Sequence, residues 1–485
     1  MRIKGFLTFI LVFLMLFNLC ACGNYGDTSS LLNDNSDAED ISSVLSQTED
    51  DTSKTEQTTS KDKDTNSKKT NSKHNTTSKQ TPTSSKESIV TSQDQTDESE
   101  DIEMELTERE IILSGQDPDL YRLGLELEGN ASRIANLMKK AKNGGSYTIG
   151  ILGGSISGGA GASSAENKYA NLVFEWWKKT FPKAKFTLVN ASIGSANPEM
   201  ACYRLDVDLL KYKPDFVIID FAVNTYLDKN PETTYANLLY RILTQSKQPG
   251  VLAINFTAVT PKSYEEWTFK KLDEYPDYRL KEPLRKYQIP TVSYSNYVWK
   301  ALVKTDEFGG EIINWKDIAA DYIHPNNNGH KIAASLIIAH LETIKNKLSS
   351  ISSTVPSVQK LENEKYLNVK YLTNTTKGVT KTGGVEVGAN DHPSRRGWTF
   401  NASKAGKLTV PLSKHSEVLL FMSFSADAAG SIKVNGANGT EQPILFELAK
   451  TPTLVNVLEM GNSITIDSSG LTSGSCTIYG ICLNP

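Results

Sequence analysis

Residues 147–162 read Tyr-Thr-Ile-Gly-Ile-Leu-Gly-Gly-Ser-Ile-Ser-Gly-Gly-Ala-Gly-Ala. The first six residues form a short apolar run of strand length, and the glycines that follow end it in a tight turn with Ser155 near its apex. The turn lacks the Lys-Ser/Thr ending of a phosphate loop and the spacing of a dinucleotide fingerprint. It therefore reads as a place where a hydroxyl is presented. Outward from this stretch the pattern alternates. Asn130 to Lys142 is helical, with apolar residues at 134, 137, 138 and 141, and Lys168 to Phe181 is helical again. Phe186–Val189, Phe216–Ile219, Val251–Phe256 and Val292–Tyr294 read as strands, Tyr235–Thr244 as a helix, and a last helix is expected from about Asn328 to Lys347, just after His324-Pro325. Strands separated by helical segments imply a parallel sheet with helices on both faces. Ligands of such sheets sit at the carboxyl ends of the strands.

Three more blocks fall at those ends or near the segment's close: Gly194, Asn224, and Asp321-Tyr322-Ile323-His324. A nucleophilic hydroxyl needs a base for its proton, a group that orients the base, and donors for the oxyanion. Ser155, His324 and Asp321 fill the first three roles; the oxyanion donors are Ser155, Gly194 and Asn224. Among the six histidines only His324 has a carboxylate three residues earlier, so one loop presents both groups. Ser157, two residues further along the same turn, is the alternative nucleophile. The oxyanion residue in Asn190-Ala191-Ser192-Ile193-Gly194-Ser195 aligns at 194 or 195, and a backbone N–H serves in either register. With these blocks the chain resembles the SGNH, or GDSL-like, serine hydrolases over about residues 105–350. Gly154 stands where the family more often has an acid, and Ala222 and Thr225 depart from its usual Gly-x-Asn-Asp. The resemblance implies a three-layer α/β/α flavodoxin-like fold with a mainly parallel sheet, an acyl-enzyme mechanism, and no metal or organic cofactor.

The termini differ from this core. Residues 1–22 carry Arg2 and Lys4, an apolar run from Phe6 to Phe17, then Leu19-Cys20-Ala21-Cys22, the pattern of an export signal. The last four resemble a bacterial lipobox, so Cys22 is expected to be lipidated and to anchor the chain in the cell membrane, on its extracytoplasmic face. Residues 23–102 are rich in Ser, Thr, Lys and Asp and cannot build a core. They read as a tether spanning roughly 50 Å as a random coil. Cys202, Cys476 and Cys482 remain in the mature part, which indicates neither a disulfide framework nor a zinc site. The net charge of −4, with no Lys/Arg stripe on a folded segment, argues against nucleic-acid binding.

After a break near Ser349–Pro356 the hydrolase segment (103–350) gives way to residues 360–485, where short alternating runs are punctuated by Asn435-Gly436, Asn438-Gly439 and Gly461-Asn462. An all-β sandwich with a carbohydrate-binding role is expected there. Trp398, after a polar stretch, is the candidate for an exposed sugar-stacking face, and Trp315 and Trp267 are candidates beside the catalytic pocket. On the glycan-holding reading, deleting residues from about 360 spares hydrolysis of a small ester. The expected function is a surface-anchored esterase removing O-acetyl groups from an acylated glycan. A lipid or thioester hydrolase, a glycan acyltransferase and a non-catalytic glycan-binding lipoprotein are the competing readings.

Overall fold

The computed structural model describes residues 106–258, 279–389, 396–436, 441–458 and 461–484, with the side chains of residues 226 and 227 excepted. The expected signal segment, Cys22, the tether and Trp267 lie outside the described residues. Six strands make the first sheet: β1 (Leu125–Leu127), β2 (Gly145–Gly153), β3 (Ala184–Asn190), β4 (Phe216–Asp220), β5 (Gly250–Asn255) and β6 (Thr291–Ser293). Their spatial order is β1-β6-β5-β4-β2-β3. All neighbours from β6 to β3 run parallel, while β1 adds an antiparallel edge. Counting the parallel strands alone, the order is 2-1-3-4-5, the flavodoxin-like arrangement, whose ligand crevice opens where the winding reverses between its first and third strands. Those are β2 and β4, the strands that lead to Ser155 and Asn224.

Among the described residues five helices reach ten residues or more: α1 (Ser132–Ala141), α2 (Tyr169–Thr180), α3 (Pro198–Asp208), α4 (Pro231–Leu243) and α5 (Asn327–Asn346). Strand β4 shows how they cover the sheet. Phe216 and Ile218 join the apolar cluster that holds residues of α1, α2 and α5, whereas Val217 and Ile219 join the one that holds residues of α3 and α4. Successive side chains point to opposite faces, and both faces are covered, so the strand is continuously apolar. The sequence gives no periodic signal for α3, because eight of its eleven residues are buried, Arg204 and Asp208 among them. Helix α5 begins at Asn327 with Asn326 as its cap, so Pro325 precedes the cap instead of occupying the first turn.

The C-terminal residues form two antiparallel sheets. One contains β7 (Lys370–Leu372), β9 (Val385–Val387), β10 (Trp398–Asn401), β12 (Glu417–Phe424), β15 (Thr453–Asn456) and β18 (Ser475–Asn484); the other contains β8 (Thr380–Gly383), β11 (Gly406–Pro411), β13 (Ala429–Gly436), β14 (Glu441–Leu445), β16 (Ser463–Asp467) and β17 (Leu471–Ser473). Leu420 and Met422 of β12 enter the sandwich core, while Leu419 and Phe421 join the cluster of α3 and α4, together with Tyr366, Val369 and Cys482. Strand β12 and the end of β18 are therefore buried on both faces, and the sandwich shares a core with the hydrolase unit. Two expectations change. Trp398 is only 2% exposed, because β10 alternates inward and outward and Trp398 and Phe400 take the inward positions; it offers no stacking face. Removal of the sandwich also uncovers part of the hydrolase core, so it cannot be a clean deletion. Cys202, Cys476 and Cys482 are free and buried.

Candidate active site

Strand β2 is buried from Ile149 to Gly153 and runs into a single helical turn, Ser155–Gly158. Gly154 is needed at the join: a Cβ there would stand 2.2 Å from Oδ1 of Asn224. Ser155, 9% exposed, carries its Oγ 2.9 Å from Nε2 of His324. His324 Nδ1 lies 2.7 Å from Oδ2 of Asp321. The tautomer that donates from Nδ1 to the carboxylate leaves Nε2 free to accept the serine proton. The short Asp-x-x-His spacing is fixed by the loop itself, since Oδ1 of Asp321 accepts the backbone N–H groups of Ile323 and His324, each at 2.7 Å. Burial pushes the Asp321 carboxyl up, but the hydrogen bonds from the imidazole and the two amides outweigh it and hold the group at about 2. Asp321 is thus an anion wherever an esterase would be assayed.

The His324 loop is clasped from two sides. Trp315 donates its indole N–H to the Asp321 carbonyl at 2.7 Å, so this candidate substrate residue props the loop that carries the carboxylate. On the other side Gly161, at φ +87°, packs where a Cβ would lie 2.2 Å from the Pro325 carbonyl oxygen and 3.1 Å from Cβ of His324. The small-residue run after Ser155 lets the two loops meet. His330, one turn into α5, puts Nε2 3.0 Å from the Ala160 carbonyl, and its burial lowers it to about 4. It pins the glycine loop as a neutral ring.

Asn224 is 1% exposed, and its Nδ2 has no hydrogen-bond partner among the described residues. A buried amide donor left unpaired costs about 1–3 kcal/mol, so its presence calls for an acceptor brought from elsewhere. In the 190–197 loop Ile193 N–H donates to the Gly153 carbonyl and Ala196 N–H to that of Ile193, which leaves the Gly194 N–H outside both bonds. The left-handed residue of the loop is Ser195, at φ +60°, and an added Cβ on Gly194 would find only Cβ of Ser155, at 4.0 Å. Neither a positive φ nor a close contact requires glycine at 194, where an added Cβ would make only an ordinary contact with Ser155. Ser157 is turned away from His324: its Oγ donates to Asp220 Oδ2 at 2.9 Å and lies 2.6 Å from the Tyr169 hydroxyl. Burial raises the Asp220 carboxyl to about 7 despite the Ser157 bond. This Asp-Ser-Tyr cluster, packed beneath the Ser155 turn, carried no sequence signal because its members are spread over three elements.

Residues 151–332 match the model of the GDSL-like lipase/acylhydrolase family. The α/β unit belongs to that family. The segment matched runs from β2 through Ser155, Gly194, Asn224, Asp321 and His324 into α5, so the acylhydrolase is an SGNH-type carboxylic ester hydrolase. Among solved structures, the chain is similar to a two-domain esterase active on acetylated mannans, with 25% identity and a TM-score of 0.60, covering 75% of this chain and 98% of that one. A structure of the two-domain esterase co-crystallised with mannopentaose gives 25% identity and a TM-score of 0.59, covering 75% and 97%. A 75% share is larger than the hydrolase unit alone, so the similarity takes in the sandwich. No curated protein matches the chain.

Proposed function

We propose that this acylhydrolase is a carbohydrate O-acetylesterase that works through an acyl-enzyme on Ser155. The observation that carries the reading is His324 standing between Ser155 Oγ at 2.9 Å and Asp321 Oδ2 at 2.7 Å. In the first half-reaction Ser155 Oγ attacks the ester carbonyl carbon while its proton passes to His324 Nε2. The carbonyl oxygen becomes an oxyanion, for which the Asn224 amide and the backbone N–H groups of Gly194 and Ser155 are the donors. Collapse of the tetrahedral species breaks the bond to the sugar oxygen, which takes the proton from His324. Water then repeats the sequence against the acyl-serine, and acetate leaves. Asp321 stays ionised throughout, holding the ring and stabilising the imidazolium.

The glycan reading draws its support from the similarity over both domains to an esterase active on acetylated mannans. We further propose that Cys22 is lipidated and that this lipid holds the chain on the extracytoplasmic face of a bacterial membrane, with residues 23–102 as the tether. A series of acetyl, butyryl and octanoyl p-nitrophenyl esters, followed by acetate release from acetylated mannan and acetylated xylan, tests the substrate class. Preference for octanoyl esters with no acetate released from either polymer would refute it. Mass spectrometry of the mature N-terminus tests the anchor, and an unmodified residue other than Cys22 would refute that.

A further inference from the structure

The loop that carries Gly194 is not held by the hydrolase unit alone. Its Ala191 carbonyl accepts a short hydrogen bond from Nη1 of Arg204, a residue of α3 with no exposed surface. The same nitrogen donates to Oδ2 of Asp208 at 2.9 Å, one turn further along the helix. The other oxygen of that carboxylate, Oδ1, lies 3.3 Å from Nε of Arg396. Arg396 belongs to the sandwich, two residues ahead of β10, and its Nη1 also donates to the Val207 carbonyl at 2.8 Å. One buried carboxylate is thus shared by two guanidinium groups, one from each domain. Burial drives the Asp208 carboxyl up, and Arg204, Arg396 and Lys211 oppose it.

The opposite end of α3 is tied by a hydrogen bond. Tyr366, from the segment leading into the sandwich, donates its hydroxyl proton to Oε1 of Glu199 at 2.7 Å. Glu199 lies in the first turn of α3, two residues past the Asn197 cap that closes the loop. The sandwich therefore grips both ends of the helix whose N-terminus continues the 190–197 loop. Without Arg396, Asp208 keeps its pair with Arg204, but its Oδ1 and the Val207 carbonyl lose their partner inside the fold, so Asp208 and Arg204 must shift to accommodate the change.

We propose that Arg396 is a positioning residue for the esterase, which keeps the oxyanion loop in place through Asp208 and Arg204. The sandwich is then a working part of the catalytic unit, whether or not it touches sugar. The inference rests on the reading of the Gly194 N–H as an oxyanion donor. Loss of Arg396 should act on the transition state, because the donor it positions matters most once charge has developed on the substrate oxygen.

The test uses the full chain with p-nitrophenyl acetate, comparing Arg396→Gln, Arg396→Lys, Val369→Ala and Ser155→Ala. Val369 is 6% exposed in the same interdomain cluster and takes no part in the ion-pair chain. Arg396→Gln is expected to lower kcat about tenfold with KM within about twofold, a small shift compared with the ~100-fold that a ~1 Å misplacement can cost. Arg396→Lys, which keeps a cation beside Asp208, should regain part of that loss. Val369→Ala should lower Tm while keeping wild-type kcat. Wild-type kcat in Arg396→Gln would overturn the proposal, as would an equal fall in Val369→Ala, which would make the interface a matter of stability alone. Should Arg396→Gln not fold, Arg396→Lys carries the test: a fall of about threefold in kcat at constant KM supports the proposal, and wild-type kcat overturns it. Activity surviving in Ser155→Ala would instead strike the serine-esterase reading, so the two failures are distinguishable.

Discussion

Asn224→Ala separates catalytic from structural worth more cleanly than any other single change. Its Nδ2 is buried and has no partner among the described residues, so the substitution breaks no Nδ2 hydrogen bond in the free enzyme. The backbone bond from Asn224 N–H to the Phe221 carbonyl, 3.0 Å, is unaffected. Removing an unpaired buried donor recovers about 1–3 kcal/mol of desolvation cost, which offsets packing lost with the amide. The net change in stability should stay within ~1 kcal/mol, a Tm shift of no more than about 4 °C. Catalysis behaves differently. Loss of one oxyanion donor costs about 2.7–4 kcal/mol of transition-state stabilisation, a fall of 10²–10³ in kcat. Asn224→Asp, of nearly the same shape, places a carboxylate where the oxyanion forms and should lose more. The assay is kcat and KM on p-nitrophenyl acetate beside a thermal melt. A kcat loss under about threefold, or a Tm drop near 10 °C accompanying the loss, would refute the oxyanion role.

Three further expectations follow from the geometry. The Asp321 carboxyl sits at about 2 against an ordinary 3.8; a depressed carboxylate contributes stability that is present above its unfolded value and disappears as pH falls through the folded one. Wild type should therefore lose stability relative to Asp321→Asn between about pH 4 and pH 2 in chemical unfolding, and parallel slopes would contradict the assignment. Gly161→Val adds a branched side chain at φ +87° against the Pro325 carbonyl, so it should lower both Tm and kcat by displacing the His324 loop; a wild-type melt and rate would show that the loops need not meet there. Truncation at about residue 360 removes Tyr366, Val369, Leu419, Phe421 and Cys482 from a shared core. With ~1.5–3 kcal/mol for each large apolar side chain exposed, a few uncovered partners approach the whole stability of a domain. The truncated chain should be insoluble, or equally impaired on a small ester and on a polymer, and a soluble form fully active on p-nitrophenyl acetate would contradict this.

The strands around the site were legible because each is short, apolar and followed by turn chemistry; the expected Phe216–Ile219 and the observed Phe216–Asp220 differ by one residue. Ser155, Asp321 and His324 were legible through one fixed spacing and one strand-end turn, and the structure brings all three together. Helix α3 was not. It lies between the sheet and the sandwich, so its polar residues Arg204 and Asp208 are buried and no apolar stripe marks one face. The unbroken run Val418-Leu419-Leu420-Phe421-Met422 did hold the missing signal. A half-exposed strand alternates, and a run without alternation marks a sheet covered on both faces. Trp398 misled for the related reason that a polar stretch ahead of a strand says nothing about which way its first residue points.

The central claim is that Ser155 carries the acyl group, and covalent labelling tests it most directly. Full-length protein treated with a serine-reactive phosphonate or with p-nitrophenyl acetate, quenched in acid and digested, should show one modification, on the peptide containing Ser155. His324→Ala, lacking the base, should label far more slowly, and Ser155→Ala should not label and should fall several orders of magnitude in turnover. A modification on any other residue, or more than about a tenth of wild-type turnover in a folded Ser155→Ala protein, would contradict the account.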